Sequence, residues 1–315
     1  MAPPFKITSQ IVNLISEISL NLGKLQIKKD LRLRKASKIK TISSTLLIEN
    51  INADEEKVTA ILDNKRVLST QKELAEIKGA IRLYENIDKF DYKSEKDLLK
   101  AHKLLMQDIL TNAGEYRKSN VGVGNISQIT HIAPPASRVP ILMSELFDWI
   151  NKADHHPLII SSVFHYEFEF IHPFIDGNGR LGRFWQTLIL YNWNSLFEYL
   201  PIESLIYENQ EKYYEVIEES NSLGESTPFI EFMLKIILDT ITTQATPQAT
   251  PQDKKEIIIE FCKTPKSLKE IKEYLGLKDR KYVKSLINKL IKTNRLKMTL
   301  PDKPTSPKQK YIKIN

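Results

Sequence analysis

Two strongly apolar stretches, PLIISSVFHYEFEFI (Pro157–Ile171) and RFWQTLILYNW (Arg183–Trp193), are joined by a segment of very different material. Both carry apolar residues on every side and are long enough for buried helices, so they predict a pair of helices packed inside one core. The joint, IHPFIDGNGRLGR (Ile171–Arg183), holds a histidine, an acid, three glycines, an asparagine and two arginines within thirteen residues. A core cannot absorb that group as packing. It predicts a turn where one buried helix ends near Ile171 and the next begins near Asn178 or Gly179, with its polar atoms gathered at one point.

The chemistry of that point follows from its residue types. Gly177 and Gly179 allow close backbone approach and unusual dihedrals. A glycine-containing loop that opens a helix leaves several N–H groups pointing outward, where the helix dipole favours an anion. Arg180 and Arg183, three apart, share a helix face beside this nest. Asp176 is a hard oxygen ligand suited to Mg2+ bridging phosphates. His172 precedes the nest and carries the side-chain type whose unperturbed pKa lies near neutrality, which suits a general base. Together these are the parts for transfer of a phosphate-containing group. HYEFEFIH lacks the H-E-x-x-H spacing, which gives no support to zinc. His155 and His156 open a helix and His165 stands at core spacing among aromatics, so helix-end and packing roles are expected of them. His131 is open between contact with a ligand and packing of a hairpin.

His172-Pro173-Phe174-Ile175-Asp176-Gly177-Asn178-Gly179-Arg180-Leu181-Gly182-Arg183 resembles the full signature of Fic-domain proteins, H-P-F-x-x-G-N-G-R-x-x-R, at every fixed position. The resemblance spans roughly Ser94 to Asp239. It implies a helical core with a β-hairpin flap, and transfer of AMP from ATP to a hydroxyl of a target protein. On that resemblance His172 takes the proton of the attacking Tyr, Thr or Ser hydroxyl. Asp176 holds Mg2+ on the α- and β-phosphates. Asn178 and Arg180 bind phosphates with the nest of Gly177, Gly179, Leu181 and Gly182, and Arg183 grips the γ-phosphate. VGVGNISQITHIAPP, which alternates and is β-branched, matches the flap, whose edge takes on a strand of the target. Val123, Gly124, Asn125 and Ile126 on it line the nucleotide, and Tyr213 and Asn221 of YYEVIEESN stand near the adenosine. Gly179 keeps the place of the α-phosphate open, where relatives that move the terminal phosphate carry a larger basic residue.

SSTLLIEN (Ser43–Asn50) contains Thr45-x-x-x-Glu49-Asn50, which resembles the inhibitory motif of the same family, [ST]-x-x-x-E-[GN]. The resemblance implies that Glu49 pairs with Arg183 and takes the place of the γ-phosphate. A carboxylate–guanidinium pair in a dry site competes well with a phosphate.

TTQATPQATPQ (Thr242–Gln252) repeats Gln-Ala-Thr-Pro in tandem and has no apolar periodicity, so it is expected to be a proline-stiffened linker. The charge divides at the same place. Lys254–Asn315 holds eighteen Lys/Arg against six Asp/Glu, a charge of +12, which leaves −5 for the remainder of a chain whose total is +7. Beyond the linker, KKEIIIEFCK, SLKEIKEYLGL and DRKYVKSLINKLIKT predict three helices, the third capped by Asp279 and buried along Val283, Leu286, Ile287, Leu290 and Ile291. RLKMTLPDKPTSPKQKYIKI predicts two strands around a polar turn. Three helices and a hairpin resemble a winged helix-turn-helix, which implies DNA as a partner, with a protein-interaction module as the alternative.

The expected fold is therefore mainly α: a helical segment with the inhibitory motif over 1–93, a Fic helical core with its small hairpin over 94–241, a linker over 242–253 and a winged helix over 254–315. The expected function is protein adenylylation with ATP and Mg2+. Two alternatives stay open: removal of AMP at the same site, and a DNA-binding regulator whose Fic domain senses nucleotide. One cysteine, Cys262, excludes an intrachain disulfide. The absence of a signal-type apolar core, and of any run near the roughly 18 residues of a membrane span, points to a cytoplasmic protein without membrane contact. A homodimer is a further expectation.

Overall fold

The computed structural model describes residues 3–25, 31–125, 128–245, 251–275, 280–304, 306 and 309–314; the side chains of 123–125, 128–132, 244–245, 251–254 and 280–282 are not described. The chain forms two compact units, Met1–Ala245 and Thr246–Asn315.

The first unit runs α1 (Ser9–Lys24), α2 (Leu31–Ile48), α3 (Glu55–Leu62), α4 (Gln71–Glu85), α5 (Glu95–Met106), β1 (Gly122–Asn125), β2 (Gln128–Ile132), α6 (Val139–Lys152), α7 (Pro157–Ile171), α8 (Asn178–Trp193), α9 (Ile202–Glu208), α10 (Gln210–Leu223) and α11 (Thr227–Ala245). The boundaries have local causes. Thr70 and Glu73 form a capping box that starts α4, and Ser94 caps α5 through the Asp97 amide. His156 caps α7 through the Leu158 amide, with Pro157 in the first helical position.

α7 is apolar all round because it separates two hydrophobic clusters. Phe164, Phe168 and Ile171 face one, with Leu46, Leu105, Phe184 and Trp185. Leu158, Val163 and Tyr166 face the other, with Ile11, Ile18, Phe229 and Met233. The N-terminal segment, expected as a separate piece, belongs to this unit. Lys6 N–H donates to Thr227 Oγ1 at 2.9 Å and Thr8 Oγ1 to Glu231 Oε1 at 2.5 Å, and α1 packs on α11. β1 and β2 pair antiparallel with a bulge after Val123.

The second unit runs α12 (Pro251–Phe261), β3 (Lys266–Ser267), α13 (Leu268–Tyr274), α14 (Arg280–Lys292), β4 (Leu296–Met298) and β5 (Lys310–Lys313). Its antiparallel sheet has the order β3-β5-β4. Its core is Ile258, Ile259, Cys262, Ile271, Val283, Leu286, Ile287, Leu290, Leu296 and Tyr311. Burial pushes the Cys262 thiol up to about 11. β3, two residues long, is an addition to the expected pair of strands. The expected cap Asp279 lies outside the described residues. The linker is shorter than its composition implies, because α11 runs through Thr242–Ala245 and α12 already begins at Pro251. The remainder, 246–250, lies outside the described residues. Among the described residues no helix is long and apolar enough to cross a membrane.

Candidate active site

The α7–α8 joint is held by polar contacts from below and from the side. α7 ends on His172, whose φ of 50° and ψ of 60° place it in the left-handed region, uncommon for a side-chain-bearing residue. Gly177 at φ 85° then starts α8, and a Cβ there would stand 3.0 Å from Met106 Sδ. Asn178, 2% exposed, clamps the loop: its Nδ2 donates to Phe174 O and its Oδ1 accepts from Phe174 N, both at 2.9 Å. Leu181 N–H bonds to Gly177 O at 3.0 Å and its side chain is fully buried.

Two residues that sequence reasoning passed over fix this loop. His102 on α5 stacks on Phe174 with ring centroids 3.7 Å apart. Its Nδ1 accepts from Gly114 N–H at 2.8 Å, so Nε2 carries the proton and donates to Asp176 O at 3.0 Å. Burial holds its pKa down at about 4, so it is neutral. Arg117, 2% exposed, donates to His172 O (2.8 Å), Ile171 O (3.3 Å), Pro134 O (2.5 Å) and Ser119 O (2.9 Å), while its own N–H bonds Pro173 O at 2.9 Å. One guanidinium therefore ties the foot of the β1–β2 hairpin to the backbone of His172. The signal for His102 was a polar residue on the buried stripe of α5, beside Leu98, Ala101 and Leu105. Arg117, in a polar turn, offered none.

The arginines of α8 face inward. Arg180, 3% exposed, donates from Nη2 to Asp176 Oδ1 at 3.0 Å, and Gly177 N–H donates to the same oxygen at 2.6 Å. Its Nε and Nη1 are buried with no acceptor among the described residues, an arrangement suited to an anion. Arg183 donates from Nε to Thr45 Oγ1 (2.9 Å) and from Nη2 to Thr45 O (3.1 Å) and Glu49 Oε1 (2.6 Å). Its side chain is 1% exposed and that of Glu49 33%. Burial disfavours the Arg183 charge, but Glu49 and then Tyr213 and Glu169 more than compensate, and its pKa is raised. A Cβ on Gly179 would lie 2.2 Å from Glu49 Oε1, so the contact requires glycine there. Asn50 follows Glu49 at φ 58°, and Ile51 N–H closes back on Leu46 O at 3.0 Å. α2 thus ends just where its carboxylate meets Arg183, at a position that asparagine or glycine fills best.

Thr45, Glu49, Asp176, Gly177, Gly179, Arg180 and Arg183 are therefore brought together around the start of α8, with His172 half-buried at the end of α7. The side chain of Leu181 points into the core, and a Cβ on Gly182 would stand 2.9 Å from Glu169 Oε1 on α7. Asn178 spends its side-chain amide on the loop itself. Tyr213, expected near adenosine, is 1% exposed, and its hydroxyl lies 3.1 Å from His165 Nε2. Its neighbour Tyr214, 47% exposed, reaches Ile48 O at 3.3 Å and is the tyrosine nearer the surface. Two adjacent helix residues cannot face the same way, and the core took the first. Asn221 accepts from Tyr166 O–H at 2.9 Å, bracing α10 against α7. Val123, Gly124 and Asn125 lie on β1; Ile126 lies outside the described residues. His165 has the expected packing role: its Nδ1 lies 2.6 Å from Gln186 Oε1, and burial holds its pKa down at about 3.

A metal at Asp176 can be tested against the residues present. Gly177 N–H and Arg180 Nη2 both meet the Asp176 carboxylate at Oδ1, and its side chain is 43% exposed. Among the described residues no group of three His, Cys, Asp or Glu side chains stands together. A single, half-exposed carboxylate fits Mg2+, which keeps waters and takes substrate phosphates as its remaining ligands, and does not fit an all-protein cage.

A model of the Fic/DOC family matches residues 92–190, and a model of the Fic-like C-terminal domain (filamentation induced by cAMP protein Fic-like) matches 253–312. The crystal structure of a Fic family protein from Desulfovibrio desulfuricans G20 is 40% identical, covers 100% of this chain and 99% of its own, and superposes with a TM-score of 0.76. The chain belongs to the Fic family. Protein adenylyltransferase Fic of Culex quinquefasciatus is 30% identical over 213 residues, 64% of this chain; the chain spans 40% of that relative's length. Fic-1 of C. elegans (residues 134–508) shares the fold at 22% identity with a TM-score of 0.62, covering 74% of this chain and 70% of its own.

Proposed function

We propose that the chain is a protein adenylyltransferase that moves AMP from ATP to a Tyr, Thr or Ser hydroxyl of a target protein, held in check by Glu49. The observation that carries the reading is the arrangement at the start of α8: a helix opened by Gly177, with buried donors of Arg180 unanswered and Arg183 occupied by the chain's own carboxylate. First-turn N–H groups and two guanidiniums suit a polyphosphate, and Glu49 stands where its last phosphate would go. The names of the curated relatives support the same reaction class.

In the proposed reaction the target oxygen bonds to the α-phosphorus, the bond from that phosphorus to the bridging oxygen breaks, and pyrophosphate leaves. The hydroxyl proton passes to a ring nitrogen of His172, whose backbone is set by Arg117. Arg180 and the first-turn amides hold phosphate oxygens, and Arg183, once Glu49 withdraws, holds the γ-phosphate. Asp176 would hold Mg2+, which supplies charge neutralisation to the phosphates when bound. The hairpin edge would take an extended segment of the target.

Incubation with ATP labelled in its α-phosphate tests this. Label on the protein or a target, lost in His172→Ala while nucleotide binding persists, is the expected result. A change of that kind lowers transfer by about 10²-fold or more. No label from the α-position at any nucleotide concentration, in the parent and in Glu49→Gly alike, would sink the reading. Release of AMP from a modified target that depends on Glu49 would place the chemistry in the reverse direction.

A further inference from the structure

We infer that α14 and the β4–β5 hairpin form a face that binds double-stranded DNA. The unit has the element order helix, strand, helix, helix, strand, strand, with its first strand paired to its last. That is the order of a winged helix-turn-helix, in which the third helix enters the major groove and the last two strands flank the backbone. Topology alone names no ligand. Charge supplies the second observation.

The basic residues are not spread through the unit. Arg280–Met298 holds seven Lys/Arg and no Asp/Glu, whereas α12 holds two against three and α13 two against two. A general excess of lysine would leave acids wherever chance put them. Here the acids between 251 and 292 lie on α12 and α13, apart from Asp279 just before α14. Three bases of the unit sit beside a carboxylate: Lys263 by Glu260, Lys269 by Glu273, and Arg295 by Glu256. Lys284, Lys289, Lys292 and Lys297 are exposed, and among the described residues none has an acidic partner, whereas Lys310, also exposed, lies near enough to Glu270 to lower its carboxyl.

The register of α14 shows what this face offers. Val283, Leu286, Ile287 and Leu290 are buried. Ser285, Asn288 and Lys292 fall on the opposite side, with Lys284 and Lys289 flanking them, and all five are exposed. Two short polar side chains between lysines suit a duplex: the flanking cations meet phosphates on either wall, and Asn288 can pair with an adenine edge. An α-helix fits the B-form major groove, about 12 Å wide, and not the deep, narrow one of an RNA duplex.

Fluorescence anisotropy of a labelled mixed-sequence DNA duplex, titrated with the full chain over a range of salt, tests the inference. Binding is expected in the range of about 10⁻⁴ to 10⁻⁶ M at physiological salt and tighter below it. Replacing Lys284, Lys289 and Lys292 together by Ala should weaken binding about tenfold or more and lower the log–log salt slope by about 3. Lys297→Ala on β4, a strand position that cannot disturb α14, should weaken it by a smaller factor and lower the slope by about 1. Lys263→Ala with Lys269→Ala, whose bases already face carboxylates, should change little. The inference is overturned by the absence of duplex binding at low salt. It is equally overturned by unchanged affinity in both the triple variant and Lys297→Ala, or by single-stranded DNA or an RNA duplex binding as tightly as the DNA duplex.

Discussion

α8 and α14 are both helices that present several positive charges, and they do so in opposite ways. On α8 the charges are arginines, 2–3% exposed, with donors that meet Asp176, Thr45 and Glu49 and two donors of Arg180 without an acceptor among the described residues. On α14 the described charges are lysines, all exposed, with no acidic partner among the described residues. A buried guanidinium has fixed geometry and little screening, so it selects one carboxylate or phosphate group in one pose. An exposed ammonium is mobile, hydrated and screened, so it contributes to the capture of an extended polyanion without fixing its register.

Salt should separate the two helices most widely. Between 50 and 200 mM salt, duplex affinity is expected to fall by about 10³-fold for some six phosphate contacts, while nucleotide affinity of the first unit changes far less. Equal salt dependence in parallel titrations would erase the distinction. Side-chain exchange is next. Arg183→Lys should lower AMP transfer by about 10²-fold, because an ammonium cannot span the sites now bridged by Nε and Nη2, whereas Lys292→Arg should leave duplex affinity within about twofold. Initial rates and anisotropy read the two arms.

Glu49→Gly addresses the internal occupant that α8 has and α14 lacks. It should raise self-labelling by ATP, on the order of 10²-fold, by freeing Arg183 for a near-attack pose. The new glycine follows the last residue of α2 and should cost at most about 1 kcal/mol of stability. A parent-like labelling rate, with Arg183→Ala still inactive, would reduce the Glu49 contact to a structural ion pair.

The smallest effect concerns the dry ground beneath α8. Burial pushes the Glu169 carboxyl up to about 8 and that of Glu167 up to about 7. Both are raised above the ordinary value, so the folded chain binds more protons than the unfolded one. Stability therefore falls as pH rises from roughly 4.5 to 8. His165, held down at about 3, works in the other direction and only below its ordinary 6.5. Melting curves of Glu169→Gln should accordingly lose the part of the decline between pH 7 and 8, a change on the order of 2–4 °C. An unaltered slope there would show that Glu169 is not the group that titrates.

The α7–α8 pair was legible because its apolar residues leave no surface for any other arrangement and its loop concentrates polar types a core rejects. Glu49 was legible only through its six-residue pattern, and the reason for that pattern is the left-handed Asn50 together with the close approach to Gly179. Arg117 was not legible, and His102 showed only as a polar residue on the buried stripe of α5. Each acts on backbone carbonyls, which every sequence possesses, so nothing in the sequence names their partners. Tyr213 and Tyr214 are chemically alike, and only packing against Phe229 and His165 decided which went inside. The linker composition was legible but its limits were not: prolines at 247 and 251 disfavour helix interiors, yet α12 accepts Pro251 at its first position.

Arg117 also couples two parts of the molecule mechanically. Its guanidinium joins Ser119 and Pro134, at the two feet of the hairpin, to Ile171 and His172. Torsion about the hairpin base and torsion about the His172 backbone are therefore not separate coordinates. A twist of the hairpin is thereby transmitted through a single rigid plane to the backbone of His172.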